Sequence, residues 1–454
     1  MKVTGIIMEC NPFHEGHEYL LREARKRTGA DYIVTAMSGD YVQRGEPAVF
    51  DKYIRAEQIL KAGADLVLEL PLYAACGSAE YFARGGVFLL DRLGVVTDLC
   101  FGSESGDISY ILENARRLAL AEDGLYSSPA HYRNSCHDNS ADSHPNTVPD
   151  YPADYNPDTV PDHPADPRPD TVPDHPADPR PDFCRDLYRD RLQTGLQTGL
   201  SYPAARAAAL EAAFTDPLSP ADTPNDLLAV EYCRALISSQ SRITPHAVPR
   251  IPVPSATDRR KQLLENRVKG VHIPLFPLSP DDFSGQLLYA LRMHEHEAEL
   301  FADLSGDIAD RIRTLLPQYR DYRSFCDLLK TRNLTRTRIS RCLLHLLLQI
   351  RDDRLKQLSS CGMALYARPL AMRKKAGPLF SAIKKHSSIP FISKLSQASS
   401  LLSPADLTFW QEEIRAEELY TLTFAMTVSK AAVPQDIPAL LPVPRAYSRR
   451  LIVI

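Results

Sequence analysis

Val3-Thr4-Gly5-Ile6-Ile7-Met8-Glu9-Cys10-Asn11-Pro12-Phe13-His14-Glu15-Gly16-His17 decides how the first half of this chain is read. Val3–Met8 is an apolar run that ends at a proline-containing turn, and His17–Arg27 then has helical spacing at Tyr19, Leu20 and Ala24. Strand, turn and helix in that order put a helix N-terminus at His14–His17. Such an end offers unpaired N–H groups and the positive pole of the helix dipole, so an anion is stabilised there. Gly16 lets the backbone approach a phosphate closely. His14 and His17 are three residues apart, so one helical turn carries both imidazoles to one side. Imidazoles so placed can donate to phosphate oxygens and follow the charge that builds on a leaving pyrophosphate. A capping turn with incidental histidines is the plainer alternative.

Outward from this stretch, strand and helix alternate. Asp31–Met37, Ala64–Leu70 and Val95–Phe101 read as strands, and Ile54–Ala62 and Ala79–Leu93 as helices. That order implies a Rossmann-like parallel sheet of βαβ units covered on both faces. Phe183–Leu192, Pro203–Phe214 and Asn225–Ile237 follow as helices and Ile243–Ile251 as an extended segment. From Asp281 the periodicity is mainly helical, over Gln286–Leu304, Asp307–Leu316, Tyr322–Leu329, Thr335–Leu355 and Pro404–Ser429. With 454 residues, two domains are expected. Residues 1–125 and 183–280 form an α/β ATP-binding catalytic domain in this reading, and 281–454 a helical, basic, RNA-binding one.

Between them, Thr147-Val148-Pro149-Asp150 recurs at 159–162 and 171–174, in a stretch of Pro and Asp with little to pack. Residues 126–182 are therefore expected to be a disordered insertion. From Ser127 to Asp182 there are eleven Asp against three Arg, a net of −8, so the rest of the chain carries +4 of the overall −4. Lys330–Lys385 holds fourteen Lys or Arg against two Asp, a surplus that would attract a polyanion. Arg332, Arg336, Arg338 and Arg341, then Arg373-Lys374-Lys375, are the candidate RNA-binding residues, with Tyr366 and Phe380 among them as stacking platforms. A solvated charged helix face is the bland alternative.

No run of about eighteen apolar residues suggests a membrane span, and the start of the chain lacks a secretory h-region. Nine cysteines are scattered without Cys-x-x-Cys spacing, which argues against a zinc knuckle and fits a cytoplasmic chain with reduced thiols. Asp40 and Gln43-Arg44-Gly45 follow the second strand at its ligand-bearing end, where Arg44 could pair with a phosphate or a carboxylate. Lys52 and Arg55, one turn apart, fit either a ligand-facing pair or a solvated helix face. Carboxylates do not cluster into a dedicated metal site, so Mg²⁺ is expected to ride on the phosphates with water ligands.

His14-Glu15-Gly16-His17 after the first strand resembles the signature of the HIGH-type nucleotidylyltransferase superfamily. Ser255-Ala256-Thr257-Asp258-Arg259-Arg260 resembles its second signature, with Arg260 in the arginine place. Gly5–His14, Met37–Pro47, Gly63-Ala64-Asp65, Glu69-Leu70-Pro71, Phe101-Gly102-Ser103-Glu104, Ser201-Tyr202-Pro203, Pro224–Leu228 and Pro249-Arg250-Ile251 are similar to the bacterial tRNA(Met) cytidine acetate ligase family. Met8, Cys10 and Asp258-Arg259 depart from its commonest pattern.

The resemblance implies that ATP activates acetate as acetyl-adenylate, and that the acetyl group passes to N4 of the wobble cytidine of elongator tRNA(Met). It places ATP on Ile7, Met8, Glu9, Cys10, Asn11, Pro12, Phe13, His14, Glu15, Gly16, His17, Glu18, Tyr19 and Leu20, and on Gly102, Asn225 and Arg250, with His14 and His17 catalytic. The alternatives are an adenylyltransferase acting on a small phosphorylated cofactor precursor, and a non-catalytic RNA-binding protein on a nucleotide-binding scaffold. No covalent nucleophile is needed, because the carboxylate attacks the α-phosphorus directly.

Overall fold

A computed structural model describes residues 1–122, 181–198, 200, 202–214, 221, 223–269, 275–430 and 450–454. The expected insertion lies outside them, except that its last two residues, Pro181 and Asp182, open a helix. The chain runs β1 (Val3–Met8), α1 (Glu15–Thr28), β2 (Tyr32–Ser38), a small hairpin of β3 (Tyr41–Val42) and β4 (Glu46–Pro47), then α2 (Lys52–Lys61) and β5 (Leu66–Leu70). Next come α3 (Leu72–Ala75), α4 (Ala79–Arg92), β6 (Asp98–Ser103) and α5 (Ile108–Glu122). Past the insertion lie α6 (Pro181–Gln197), α7 (Tyr202–Ala213), α8 (Pro224–Ser238), β7 (Thr244–Pro249) and α9 (Ala256–Val268).

The remainder is mainly helical: α10 (Ser284–Met293), α11 (Gly306–Leu315), α12 (Tyr322–Leu329), α13 (Arg336–Leu348) and α14 (Asp352–Ser360). After β8 (Arg368–Met372) follow α15 (Gly377–His386), α16 (Ala398–Leu401), α17 (Pro404–Lys430) and β9 (Ile452–Val453).

Seven strands form one sheet in the order β7-β6-β1-β2-β5-β8-β9. The first five are parallel to one another. Alternation along each strand sends successive side chains to opposite faces. Ile6 and Met8 thus pack with Leu21, Ala24, Ala56 and Ile59 of α1 and α2, whereas Ile7 packs with Phe82, Val87 and Leu90 of α4. A strand buried on both faces has to be apolar throughout, which is why Val3–Met8 shows a run rather than an alternation.

The helical region is joined to this sheet rather than set apart from it. β8 pairs antiparallel with β5, and β9 pairs with β8. Arg368–Met372 lies inside the basic stretch, where charge masks the strand pattern. Two expected helices are shorter than their periodicity suggests. Gln286–Leu304 stops at Met293, and Thr335–Leu355 divides at Gln349, which takes the left-handed conformation with φ 60°. Both interruptions meet one another: Phe301 bridges Arg351, and the Ala302 N–H donates to the Ile350 carbonyl at 2.9 Å. No helix among the described residues is long and apolar enough to cross a membrane.

Candidate active site

Strand order reverses at β1: β2 and β5 lie on one side of it, and β6 and β7 on the other. The crevice beyond the carboxyl ends of β1 and β6 is therefore the switch point at which open α/β sheets take ligands. The loop after β1 leads into α1; Gly102 and Ser103 end β6, and Glu104 opens the loop after it.

His14 is the N-cap of α1 in extended conformation. Its Nδ1 accepts from the Gly16 N–H at 3.1 Å, and His17 Nδ1 accepts from the His14 N–H at 3.2 Å. An accepting Nδ1 carries no proton, so each neutral ring has its proton on Nε2. The two ring centroids are 3.9 Å apart. Burial pulls His17 down to about 3, with the neighbouring His14, Arg250 and Arg259 adding to it. Burial, then Arg259, also lowers His14. The helix thus opens with two adjacent neutral imidazoles, each offering an Nε2–H donor. A Cβ on Gly16 would meet His14 Cε1 at 2.9 Å and Nδ1 at 3.0 Å, so a side chain there would push the ring off its cap.

The loop beneath the histidines is pinned from several directions. Asn11 Oδ1 accepts from the Val49 N–H at 2.9 Å. The Asn11 carbonyl accepts from Arg260 at 2.7 Å, and Glu9 Oε1 accepts from the Gln43 N–H at 2.7 Å. Arg55, fully buried, donates to the carbonyls of Phe50, Glu9, Ser38 and Gly39. Phe13 stacks on His17. Ile7, Met8 and Cys10 are buried in the cores, and Leu20 packs against the α1 side. Pro12 is buried, Tyr19 lies under Arg22, and Glu15 and Glu18 are exposed.

Across the crevice, Glu104 gathers the other expected contacts. It accepts from Arg250 at 3.0 Å, from the Asn225 and Asp226 N–H groups at 3.1 Å, and from the Asn225 side chain. Burial pushes Glu104 up, but bonds from Asn225, Arg250 and Thr223 outweigh it and hold the carboxyl below its usual range. Asp226 returns the clamp, accepting from the Glu104 and Ser105 N–H groups at the head of α8. A Cβ at Gly102 would meet only Arg250 Cγ, at an ordinary 3.7 Å. Ser255 caps α9 and so turns Arg259 and Arg260 toward the loop; Arg259 pairs with Glu15, while its Nε is buried without a hydrogen-bond partner. A donor orphaned at the edge of two imidazole donors fits a phosphate oxygen. Glu104, Asp226 and Arg259 are not expected site residues from the sequence, although each lies within a quoted motif.

Lys52 and Arg55 are neither a ligand-facing pair nor a solvated face, because both are buried. Lys52 lies among Glu69 at 2.5 Å, Glu417 at 2.9 Å and Asp40 at 3.7 Å, and Arg368 holds Glu69 and Glu417 from the other side. This cluster fastens α17 to the ends of β2 and β5. Among the described residues, no group of three or more His, Cys, Asp or Glu could hold a metal.

The basic candidates divide into two places. Arg336, Arg338 and Arg341 lie on α13, which touches the β3–β4 hairpin beside the crevice: Arg336 pairs with Glu46 and Asp327, and Arg341 with Asp303. Arg332 is exposed just before α13. Arg373, Lys374 and Lys375 follow β8, whose last residue, Met372, pairs with Leu66 at the start of β5, so they lie at the opposite end of the sheet. Arg373 donates to the Leu60 carbonyl, and Lys375 pairs with Asp65. Tyr366 is buried against Trp410, and Phe380 packs on Phe391, so neither is a stacking platform.

The HIGH nucleotidyl transferase family matches residues 1–141 and 183–436. The tRNA(Met) cytidine acetate ligase of Acetivibrio thermocellus is 31% identical over 459 residues, spanning 93% of this chain and 95% of its own. That of Syntrophotalea carbinolica is 31% identical over 432 residues, spanning 88% and 87%. A crystal structure of Thermotoga maritima TmcAL bound with alpha-thio ATP superposes with a TM-score of 0.76 at 26% identity, over the whole of both chains. Likeness of this extent supports enzymatic activity of the ligase type. The chain belongs to the HIGH nucleotidyl transferase family, in the branch of the tRNA(Met) cytidine acetate ligases.

Proposed function

We propose that this protein activates acetate with ATP and transfers the acetyl group to N4 of the wobble cytidine of elongator tRNA(Met). The carrying observation is the pair of Nε2–H donors at the head of α1, facing a crevice rimmed by Arg250 and Arg259. In the first step an acetate oxygen attacks the α-phosphorus, the bond from the α-phosphorus to the α,β-bridging oxygen breaks, and pyrophosphate leaves with the electron pair. His14 and His17 donate to the phosphate oxygens, and the α1 dipole adds to their effect. Charge screening by Mg²⁺ would come with the triphosphate itself, because among the described residues no group of three or more His, Cys, Asp or Glu could hold the ion. In the second step the cytidine amine attacks the acyl carbon, AMP departs with the C–O electron pair, and the amine gives up a proton. The departing charges are phosphates with low pKa, so positioning and charge neutralisation suffice without a covalent enzyme intermediate.

The likeness to tRNA(Met) cytidine acetate ligases supports both substrates. The test is to incubate the purified protein with ATP, acetate and unmodified elongator tRNA(Met), then digest the RNA and measure nucleosides by mass spectrometry. N4-acetylcytidine that needs all three components is the expected product. Unmodified cytidine under saturating conditions would refute the reading.

A further inference from the structure

Most of the arginines around the crevice are already engaged. Arg250 holds Glu104, Arg259 pairs with Glu15, Arg260 donates to the Asn11 carbonyl and Thr257, and Arg55 binds four carbonyls. Arg44 differs. It is exposed, and among the described residues no ion pair within 4 Å or side-chain hydrogen bond engages it. Its field nevertheless reaches Glu9 and Arg260, both of which touch the loop between β1 and α1.

The tip that carries Arg44 is held firmly. On one side the Gln43 N–H donates to Glu9 Oε1 at 2.7 Å. On the other, the Gly45 carbonyl accepts from Ser340 Oγ at 2.8 Å and from the Tyr322 hydroxyl at 3.2 Å. Gly45 has φ 78°, and a Cβ there would lie 2.3 Å from the Arg341 backbone nitrogen. The tip is therefore pressed against α13 with no room for a side chain, and Arg44 projects from a fixed base. Arg44 and Arg260 lie in one another's field beside the loop between β1 and α1, where the anions acting on Arg260 are Glu46 and Glu9. A small carboxylate arriving at this loop is taken at little cost only by a cation without a prior partner, and Arg44 is such a cation.

We propose that Arg44 binds the carboxylate of the small acid substrate and presents its oxygen to the α-phosphorus. This rests on the activation of acetate argued above. The reaction itself brings one anion against another, since a carboxylate must approach a triphosphate. An arginine fork on one carboxylate oxygen neutralises the approach while the second oxygen stays free to attack. Burial raises Glu9 against the pull of Arg44 and Arg260, while its Oε1 is taken by the Gln43 N–H.

The test is acetate-dependent exchange of labelled pyrophosphate into ATP by the full chain, comparing wild type, Arg44→Gln and Arg44→Lys. Arg44→Gln is expected to raise the KM for acetate about tenfold or more, as loss of a charge-assisted hydrogen bond does. The KM for ATP and the filter-binding affinity for tRNA should stay within about twofold, and Arg44→Lys should recover part of the loss. Matched thermal unfolding of the variants confirms that the exposed tip tolerates the change. A raised KM for ATP with acetate unaffected would make Arg44 a phosphate ligand and overturn the proposal. Weakened tRNA binding with acetate unaffected would make it an RNA contact and overturn it equally. Wild-type exchange that ignores acetate would sink the activity itself; exchange that needs acetate but ignores Arg44→Gln would sink this assignment alone.

Discussion

Replacing Arg332 and Arg338 by alanine should weaken tRNA binding and flatten its salt dependence, while Arg373→Ala should do neither. Arg332 is exposed and Arg338 half-exposed, and among the described residues no ion pair within 4 Å engages either. Their neighbours Arg336 and Arg341 already serve Glu46, Asp327 and Asp303. Each phosphate contact contributes roughly 0.7–0.9 to the slope of log K against log salt, so two lost contacts should lower it by about 1.5. At moderate salt this corresponds to about a tenfold loss of affinity. Arg373 lies at the other end of the sheet and is committed to the Leu60 carbonyl at 2.6 Å. Its removal should therefore leave the slope unchanged and reduce stability by about 1.5–3 kcal/mol, the worth of a hydrogen bond to a charged group. Filter binding over a salt series and urea unfolding measure the two effects. An Arg373→Ala slope change as large as that of the double variant would refute the division of the basic residues.

Other consequences can be read from the same contacts. His14→Ala should cost about 1 kcal/mol of stability through loss of the N-cap, whereas His14→Asn, which can still cap, should cost far less by urea unfolding. Lys52→Met leaves Asp40, Glu69 and Glu417 without their shared cation, and thermal unfolding should show a loss of about 3–5 kcal/mol. Burial opposes the charge on Glu417, but Lys52 and Arg368 hold it down to about 2 from an ordinary 4.5. The stability it contributes is full above pH 4.5 and is lost as pH falls toward 2, so Glu417→Gln should flatten the acid limb of an unfolding profile across that window.

The phosphate loop was the most legible part of the chain. Its strand is buried on both faces and therefore uniformly apolar, and its turn carries residue types suited to an anion. Gly102, Asn225 and Arg250 could be named by resemblance, but not the carboxylate that joins them. Glu104 closes the Phe101–Glu104 stretch, but its role shows only when α8 returns beside β6. Lys52 and Arg55 illustrate the converse. A Lys and an Arg one turn apart resemble a wet helix face, and their partners at 9, 38, 39, 50, 69 and 417 are too scattered to reveal a buried cluster. β8 is hard to see in the sequence because a short strand near a sheet margin, beginning with an arginine that neutralises buried glutamates, has no clean alternation. Charge counting likewise grouped residues 332–341 with 373–375, since linear proximity says nothing about which end of a sheet each reaches.

ATP affinity is the most direct measure of whether the triphosphate is gripped at the head of α1. Calorimetric titration of ATP into the wild-type protein and into the His14→Ala, His17→Ala double variant should show a loss of at least ~100-fold, because two donors to charged oxygens disappear together. Equal affinity in the two proteins would contradict the account.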